Sequence, residues 1–412
     1  MFADYSRRYL VLTAFIYGLI ILIRPANAIS IFALPFISGN WYSFKSAIGN
    51  KVKNLDFIPA AVVFLVALSP QLIINYLQTG TPILYGYQDE GFYFNNPQIL
   101  NFLFSYRKGW LVYTPVFLLI FPAIIYILRS QTLFASFGLL IFLISQVYIF
   151  SSWWNWYYGD SFGMRPMVDY YGLFILVTGL FIFNACKNWV KILSFIYIGA
   201  CLILNLIQSY QYAKGIIHAD SMSKEAYWYI FLDMDKDKAK TIAGCDESYY
   251  GELSHEPFLS TSNSIDSYDK GWLVRDKNET ESYSGDFSVK LTNQNIYSPS
   301  FNYLIPDSLI GYNNIYVKFS TRYLEKESNN AGKSLFVIDI GDDAGNIFYK
   351  SFKVKKIPNN KVNLWQKSHI GFKLPEITPN MKYIKLYIWN IEKQTFYVDD
   401  MEIAFYTYNI PE

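Results

Sequence analysis

The sequence predicts an α-helical polytopic membrane domain followed by an all-β, jelly-roll-like sandwich outside the cytoplasm. Two observations carry this. Up to residue 212 the chain is built of long uncharged apolar runs, within a sequence that is 52% hydrophobic and 19% aromatic overall. Beyond that point charges come every few residues, and apolar residues fall at alternate positions. The charge divides at the same place. Residues 1–212 hold 12 Lys and Arg against 6 Asp and Glu, leaving 23 and 27 of the chain's 35 and 33 for the remainder. The net +2 therefore hides a basic half and an acidic half, as suits a membrane domain joined to a water-exposed one. The expected division is 1–212 for the helical domain, 213–270 for a linker and 271–412 for the sandwich. No basic stripe with interleaved aromatics is present, so nucleic acid is not an expected partner.

A helix needs about 20 apolar residues to cross a bilayer core. The first apolar run, residues 9–23, is interrupted by Arg24-Pro25. Proline has no amide hydrogen and turns the residue before it away from helical angles. Two short helices forming a hairpin are therefore expected over 9–23 and 26–37. Ala26-Asn27-Ala28 also fits an Ala-x-Ala signal-peptide cleavage site behind Arg7-Arg8; Arg24-Pro25 just before the cut and the apolar runs that follow weigh against it. Full spans are expected at 57–76, 109–128, 132–150, 168–183 and 190–207. Lys45, Lys51 and Lys53 precede the first of these, Arg129 lies between the second and third, and Lys187 and Lys191 flank the link between the last two. The Lys/Arg bias of short loops puts those links in the cytoplasm. A multi-pass protein of the cytoplasmic membrane is expected, in contact with membrane lipid, with loops 78–108 and 151–167 and everything after the last span outside.

The loop SSWWNWYYGDSFGMRPMVDY, residues 151–170, sets Asp160, Arg165 and Asp169 at the mouth of two spans. Charges at membrane depth are costly and mark a site or an internal pair. Trp153, Trp154 and Trp156 have two readings: an interfacial aromatic belt, or faces on which sugars stack. The other outer loop carries adjacent acids, Asp89-Glu90, and adjacent bases, Arg107-Lys108, immediately before a span. A basic pair outside is explained by an anionic head group held there, or by a solvated interfacial pair. A guanidinium takes a phosphate through two parallel hydrogen bonds, so Arg24, Arg107 and Arg165, with Lys108, are the candidates to hold a phosphate. Arg165 and Asp169, four residues apart, also have a structural reading as an ion pair. Cys186, Cys201 and Cys245 and the scattered His218, His255 and His369 form no metal or redox motif.

LIRPANAI (22–29), SPQLIINYLQTGTP (69–82), EGFYFNNP (90–97), LFSYRKGWLVYTP (103–115) and WWNWYYGDSFGMRPMVDYYGLF (153–174) resemble the later membrane half of bacterial GT-C glycosyltransferases. These are polyprenyl-phosphate-dependent sugar transferases, related to protein O-mannosyltransferases and lipid A aminoarabinose transferases. The resemblance covers about residues 8–212. It implies inverting transfer of a sugar from a polyprenyl-phosphate donor to a glycan or other envelope acceptor outside the membrane, assisted by a base or a divalent cation. In that family the base is an acid of the first outer loop. This sequence opens at what would be a middle helix, so catalysis by it alone is uncertain, and a separate N-terminal half is an expected partner. The alternative is a non-enzymatic, membrane-anchored glycan-binding or assembly protein.

From about residue 271 the period is two. In YIKLYIWN, Ile384, Leu386 and Ile388 face one way, and Tyr383, Lys385, Tyr387 and Trp389 the other. In NIYVKFS, Ile315, Val317 and Phe319 alternate with Tyr316 and Lys318. Such alternation predicts half-buried antiparallel strands. Further strands are expected at 287–291, 335–340, 347–354, 369–374 and 395–406, separated by turn signals such as Asp342-Asp343-Ala344-Gly345. SYSGDFSVKL (282–291) and TFYVDDMEI (395–403) resemble the first and last strands of carbohydrate-binding-module jelly rolls. Tyr383, Tyr387 and Trp389 are then candidates for a sugar platform, or a row packed beneath a loop. Asp399-Asp400 suggest a calcium site, but two acids fall short of the six to eight oxygens that ion takes.

Overall fold

A computed structural model describes residues 6–84, 90–184, 187–249, 251–359 and 361–409. The chain forms two compact units: a helical one drawn from residues 1–203, and a second made of 204–412 with Tyr106–Lys108 and Gly159–Phe162.

The helical unit runs α1 (Arg7–Ile23), α2 (Leu34–Ser38), α3 (Trp41–Lys53), α4 (Phe57–Thr79), α5 (Ile99–Phe104), α6 (Trp110–Tyr113), α7 (Ile120–Ser130), α8 (Leu133–Ser151), α9 (Tyr171–Asn184) and α10 (Asn188–Ala213). The bend foreseen at Arg24-Pro25 is there. Arg24 is extended, and a 3-10 stretch, Pro25–Ala33, follows and leads into α2. The two arms fold back on each other, with the Tyr17 hydroxyl donating to the Ala28 carbonyl at 2.8 Å. Glycine lets helices approach closely at two crossings. A Cβ on Gly18 would lie 2.8 Å from the Cβ of Ala67 on α4, and one on Gly138 would lie 2.6 Å from the Cβ of Pro35 in the first turn of α2. Backbone approach through small residues is how helices pack when the surroundings are themselves apolar.

Four helices among the described residues are long and apolar enough to cross a membrane: Phe57–Thr79, Leu133–Ser151, Arg165–Asn184 and Asn188–Ala213. The expected span over 109–128 is not one helix. Thr114 is non-helical before Pro115, and the run divides into α6, a 3-10 turn and α7. Proline supplies the reason: it cannot donate the helical hydrogen bond and clashes with the preceding turn. Along α4 and α10 apolar side chains such as Val66 (59% exposed) and Leu206 (71%) point away from the protein. Exposed aliphatic surface on that scale is compatible with lipid rather than water.

The second unit starts with the last turns of α10, then α11 (Lys224–Tyr229), and continues, among the described residues, into the strands β1 (Glu252–Leu253), β2 (Leu259–Asn263), β3 (Trp272–Leu273), β4 (Lys277–Asn278), β5 (Ser288–Leu291), β6 (Ser300–Leu304), β7 (Ile315–Glu325), β8 (Leu335–Asp342), β9 (Gly345–Lys353), β10 (Gln366–Lys373), β11 (Tyr383–Trp389) and β12 (Phe396–Asn409). They make an antiparallel sandwich. One sheet has the order β10-β7-β12-β5-β4, with β1 and β2 also on β12; the other has β3-β6-β11-β8-β9. Val317, Phe319, Ile338, Ile340, Leu386, Ile388 and Phe405 are among the side chains that fill the space between the sheets. The inward positions of β12 are 396 and 398, then 401, 403 and 405. A bulge between Asp399 and Glu402 resets the parity. At its centre Asp400 adopts φ +42°, in the left-handed region.

Asp399 is fully buried at that bulge. Its carboxylate accepts the amides of Tyr283 (2.8 Å), Ser284 (3.3 Å) and Asp400 (2.7 Å). A carboxylate ringed by amide hydrogens is not disposed toward a cation, so Asp399-Asp400 do not form the calcium site considered above. The Glu325 carboxylate, at the inward end of β7, meets the Lys355 ammonium at 2.7 Å, both wholly buried and each with further hydrogen bonds.

The segment 213–270, read as a linker, contains α11, β1 and β2, and β2 pairs with β12 from Leu259 to Asn263. Residues 245–249 also lie across the sheet. The Tyr316 hydroxyl donates to the Glu247 carbonyl at 2.9 Å, and Tyr249 packs on the Tyr316 ring. Tyr316 does face away from the core as the alternation required, yet it is 3% exposed because this segment covers it.

Two outcomes test these contacts. A fragment 240–412 melts cooperatively with β-type circular dichroism. A fragment 265–412, without β1, β2 and the Thr261 hydroxyl that accepts from the Trp272 indole at 2.7 Å, melts at least about 10 °C lower, the equivalent of about 3 kcal/mol in a domain of this size. Burial pushes the Asp399 carboxyl up to about 6, against the pull of its amide donors. A carboxyl that holds its proton more tightly when folded favours folding at low pH, so stability is full below about pH 4. It then declines as pH rises through about 6. Chemical denaturation of 240–412 across that window shows the decline, and Asp399→Asn flattens it.

Candidate functional site

The outer face of the five-stranded sheet presents a row of rings. Alternation along β11 turns Tyr383, Lys385, Tyr387 and Trp389 outward, as the sequence requires, over the buried Ile384, Leu386 and Ile388. Register places Lys385 between Asn302 on β6 and Asp339 on β8, with Tyr349 of β9 beyond Asp339. A loop residue that periodicity could not flag completes the row. Tyr297 bridges to Trp389, with their rings stacked at 6.4 Å, and meets Tyr387 edge-on at 5.6 Å. The Tyr297 ring remains 48% exposed.

Beside these rings lies a cleft of about 560 Å³ lined by Arg275, Asp276, Gln294, Asn295, Tyr297, Ser300, Lys385 and Tyr387. It joins aromatic faces to donors and acceptors of both kinds. Such a lining offers apolar ring faces beside hydrogen-bonding groups, the combination that a sugar, apolar on one face and rimmed by hydroxyls, can meet. Lys385 stands over the Tyr387 ring at 5.5 Å. Burial, then the nearby Asp339 carboxylate, push the Tyr387 hydroxyl up to about 12, so it is a neutral donor at physiological pH. Asp339 is itself 9% exposed, and burial raises its carboxyl against the opposing pull of Lys385. The Asn346 amide, oriented to donate, lies 2.9 Å from it. An acid at an outward position of the apolar strand LFVIDIGD was the legible signal for Asp339.

The opposite sheet also carries a depression, floored by Ser260, Ser320 and Ala404. Its charged groups are paired with neighbours. Glu402 accepts from Ser320 at 3.0 Å and Lys367 at 3.4 Å, and His369 faces Asp246 at 3.8 Å. Its Tyr406 ring is covered by the Lys318 ammonium at 4.7 Å. The ring row therefore distinguishes the β11 face.

In the helical unit the residues singled out in the loops divide. The Arg24 guanidinium donates to the Asp169 carboxylate at 2.8 Å, the Asn27 amide donates to the same oxygen at 3.0 Å, and the Tyr170 hydroxyl donates to Asn27 at 2.9 Å. Asp169 is thus paired with Arg24, 145 positions away, and not with Arg165. Arg165 is exposed and makes no ion pair among the described residues. Tyr158, in the left-handed conformation at φ +57°, brings its hydroxyl to the Phe150 carbonyl at 3.0 Å. Burial raises that hydroxyl strongly, while the charges of Arg24 and Arg165 oppose the rise. Two guanidinium groups thus lie within electrostatic reach of one tyrosine.

Segments 91–98 and 151–154 are zipped together. Tyr93 and Gln98 donate their amides to the Ser152 and Ser151 carbonyls at 2.6 and 2.9 Å, and Trp154 donates to Gly91 at 3.0 Å. Trp153 packs edge-on against Phe92 at 4.8 Å, Trp154 is half-buried, and Trp156 lies in the helical core at 9% exposure. Trp156 is therefore a packing residue and not an open stacking face. Glu90 is half-buried at the start of the zipped segment, Asp160 is exposed, and Asp89 lies outside the described residues. In the second unit Arg107 is buried and donates to the Asp220 carbonyl at 2.5 Å and to the Ser248 hydroxyl, and Lys108 is buried and donates to the Ser161 carbonyl. Both were candidates for a phosphate; both face internal acceptors. Among the described residues no group of three or more His, Cys, Asp or Glu is placed to hold a metal ion.

No protein-family model matches the chain, and none of the curated proteins matches it. Among solved structures it is similar to the CBM22-1 xylan-binding domain of Paenibacillus barcinonensis Xyn10C, at 15% identity over 40% of this chain and 99% of that one, with a TM-score of 0.24. The CBM22-2 xylan-binding domain of the same protein is similar at 12% identity over 35% of this chain and 98% of that one, with a TM-score of 0.26. A family 16 carbohydrate-binding module is similar at 15% identity over 31% of this chain and 83% of that one, with a TM-score of 0.20.

Proposed function

We propose that this chain is a membrane-embedded glycan-binding protein that displays its sandwich on the outside of the cytoplasmic membrane. The observation that carries the reading is the cleft on the β11 face, where Tyr297 and Tyr387 stand beside Arg275, Asp276, Gln294 and Asn295. A sugar ring lies against Tyr387 and Tyr297, while its hydroxyls exchange water for the carboxylate, amide and guanidinium groups of the rim. Asp339 acts behind them, holding Lys385 by charge. The apolar helices anchor the chain, and the Lys45, Lys53, Arg129, Lys187 and Lys191 side of the helices is cytoplasmic under the positive-inside rule.

A second reading, glycosyl transfer from a polyprenyl-phosphate donor to an envelope acceptor, is favoured by the arrangement of Arg24, Arg165 and Asp169. Asp169, itself held by the Asn27 amide, fixes the Arg24 guanidinium, and Arg165 adds an exposed second charge near Tyr158. Their net positive charge suits a lipid phosphate.

Each reading has its measurement. Screening the detergent-purified chain against an array of plant and bacterial envelope polysaccharides identifies a ligand. Tyr297→Ala and Tyr387→Ala each weaken it at least about tenfold, or about 1.4 kcal/mol, while Lys318→Ala on the other sheet leaves it unchanged. Retained affinity in both tyrosine variants removes the cleft from the account. For the second reading, Arg24→Lys and Arg165→Lys each weaken binding of a labelled polyprenyl phosphate by about tenfold or more, because an ammonium cannot reproduce the two-pronged contact. Undiminished binding in both lysine variants excludes a phosphate role for this pair.

A further inference from the structure

Immediately beyond α10 the second unit carries an apolar foot. α11 and the turn after it expose Trp228 (54%), Phe231, Leu232 and Met234. They are firmly held. The Gln211 amide donates to the Ile230 carbonyl at 2.6 Å and the Asp233 carbonyl at 2.7 Å, and the Gln208 amide donates to the Tyr227 hydroxyl at 2.9 Å. Both glutamines are buried on the last two turns of α10. The Trp228 indole donates to the Tyr106 hydroxyl at 3.2 Å, and its ring packs on Phe231 at 5.0 Å. The exposed rings are thus fixed in height to the end of an apolar helix whose Leu202, Ile203 and Leu206 point outward.

That fixed height decides what covers them. If α10 crosses a bilayer, its last two turns emerge through the head-group layer, and whatever is bonded to Gln208 and Gln211 emerges with them. Tryptophan and its apolar neighbours are the side chains that favour this layer. The charge of the segment is balanced: Lys224, Lys236, Lys238 and Lys240 stand against Glu225, Asp233, Asp235 and Asp237. Attraction to anionic lipid is therefore not the driving term; burial of apolar side chains is.

We propose that residues 227–234 insert Trp228, Phe231, Leu232 and Met234 into the phospholipid head-group region where α10 ends, and so hold the start of the second unit on the membrane surface. The proposal rests on the reading that α10 spans a membrane. It is tested on the full chain, with Cys186, Cys201 and Cys245 replaced by Ser, reconstituted in phosphatidylcholine vesicles. Spin labels are placed singly at Leu232, at Leu202 on α10 and at Asp343 in the exposed β8–β9 turn. Accessibility to oxygen relative to a water-soluble nickel chelate is expected to be several-fold higher at 232 than at 343, and highest at 202. A label at 232 that matches 343 while 202 remains lipid-like overturns the foot alone. A water-like label at 202 overturns the membrane reading and the foot with it. Should the serine variant not fold, p-benzoylphenylalanine at Phe231 in the chain with its cysteines intact is expected to cross-link to phospholipid on irradiation, and an absence of lipid adducts overturns the proposal.

Discussion

β12 joins most of one sheet. Its fourteen residues pair with β7 along one edge, and along the other with β5, β2 and β1 in succession. A single straight strand with period-two side chains would have to keep one parity throughout. The bulge at Asp399–Asp400 allows inward positions at 398 and 401, so both halves of the strand bury their apolar face. The carboxylate of Asp399 holds the 283–284 backbone to this point, and the Thr321 hydroxyl on β7 donates to the Asp399 carbonyl at 3.0 Å. Without the bulge, the residues from 401 onward would present Glu402, Ala404 and Tyr406 to the core.

The β11 face follows from the same parity rule in the other sheet. Once Ile384, Leu386 and Ile388 are buried, Tyr383, Lys385, Tyr387 and Trp389 have only the outer side available. Rings on the outer side of a sheet are expensive to leave in water unless they are partly shielded or have a ligand to meet. Here they are partly shielded by one another and by Tyr297, which leaves a cleft rather than a flat surface.

In the helical unit the corresponding constraint is the polar group in apolar surroundings. Arg24 sits where α1 must stop, because Pro25 cannot continue it. A charge placed at that break has to be paired or solvated; Asp169 pairs with it, Asn27 holds Asp169, and Tyr170 holds Asn27. The same break therefore shapes the helical hairpin and fixes a guanidinium. The close approaches at Gly18 and Gly138 serve packing in a unit whose outward side chains are aliphatic.

The helix breaks and the two periodicities were determined by the sequence, because they depend on neighbours along the chain: Pro25 ends one helix, and alternation from 383 to 389 assigns each side chain a face. The strands β7 to β12 were legible for that reason. β1, β2, β3 and β4 were not, being short or polar and held by pairing with other strands. Alternation also placed Tyr316 on the outer side without revealing that Tyr249 and Glu247 cover it. Tertiary structure alone decided the partners. Asp169 pairs with Arg24 across 145 positions in preference to Arg165 nearby, and Arg107 and Lys108 turn to carbonyls. Tyr297 reaches the β11 ring row through a loop that carries no periodic signal. Partner choice depends on distances in space, and a linear pattern contains those only where one element folds on itself.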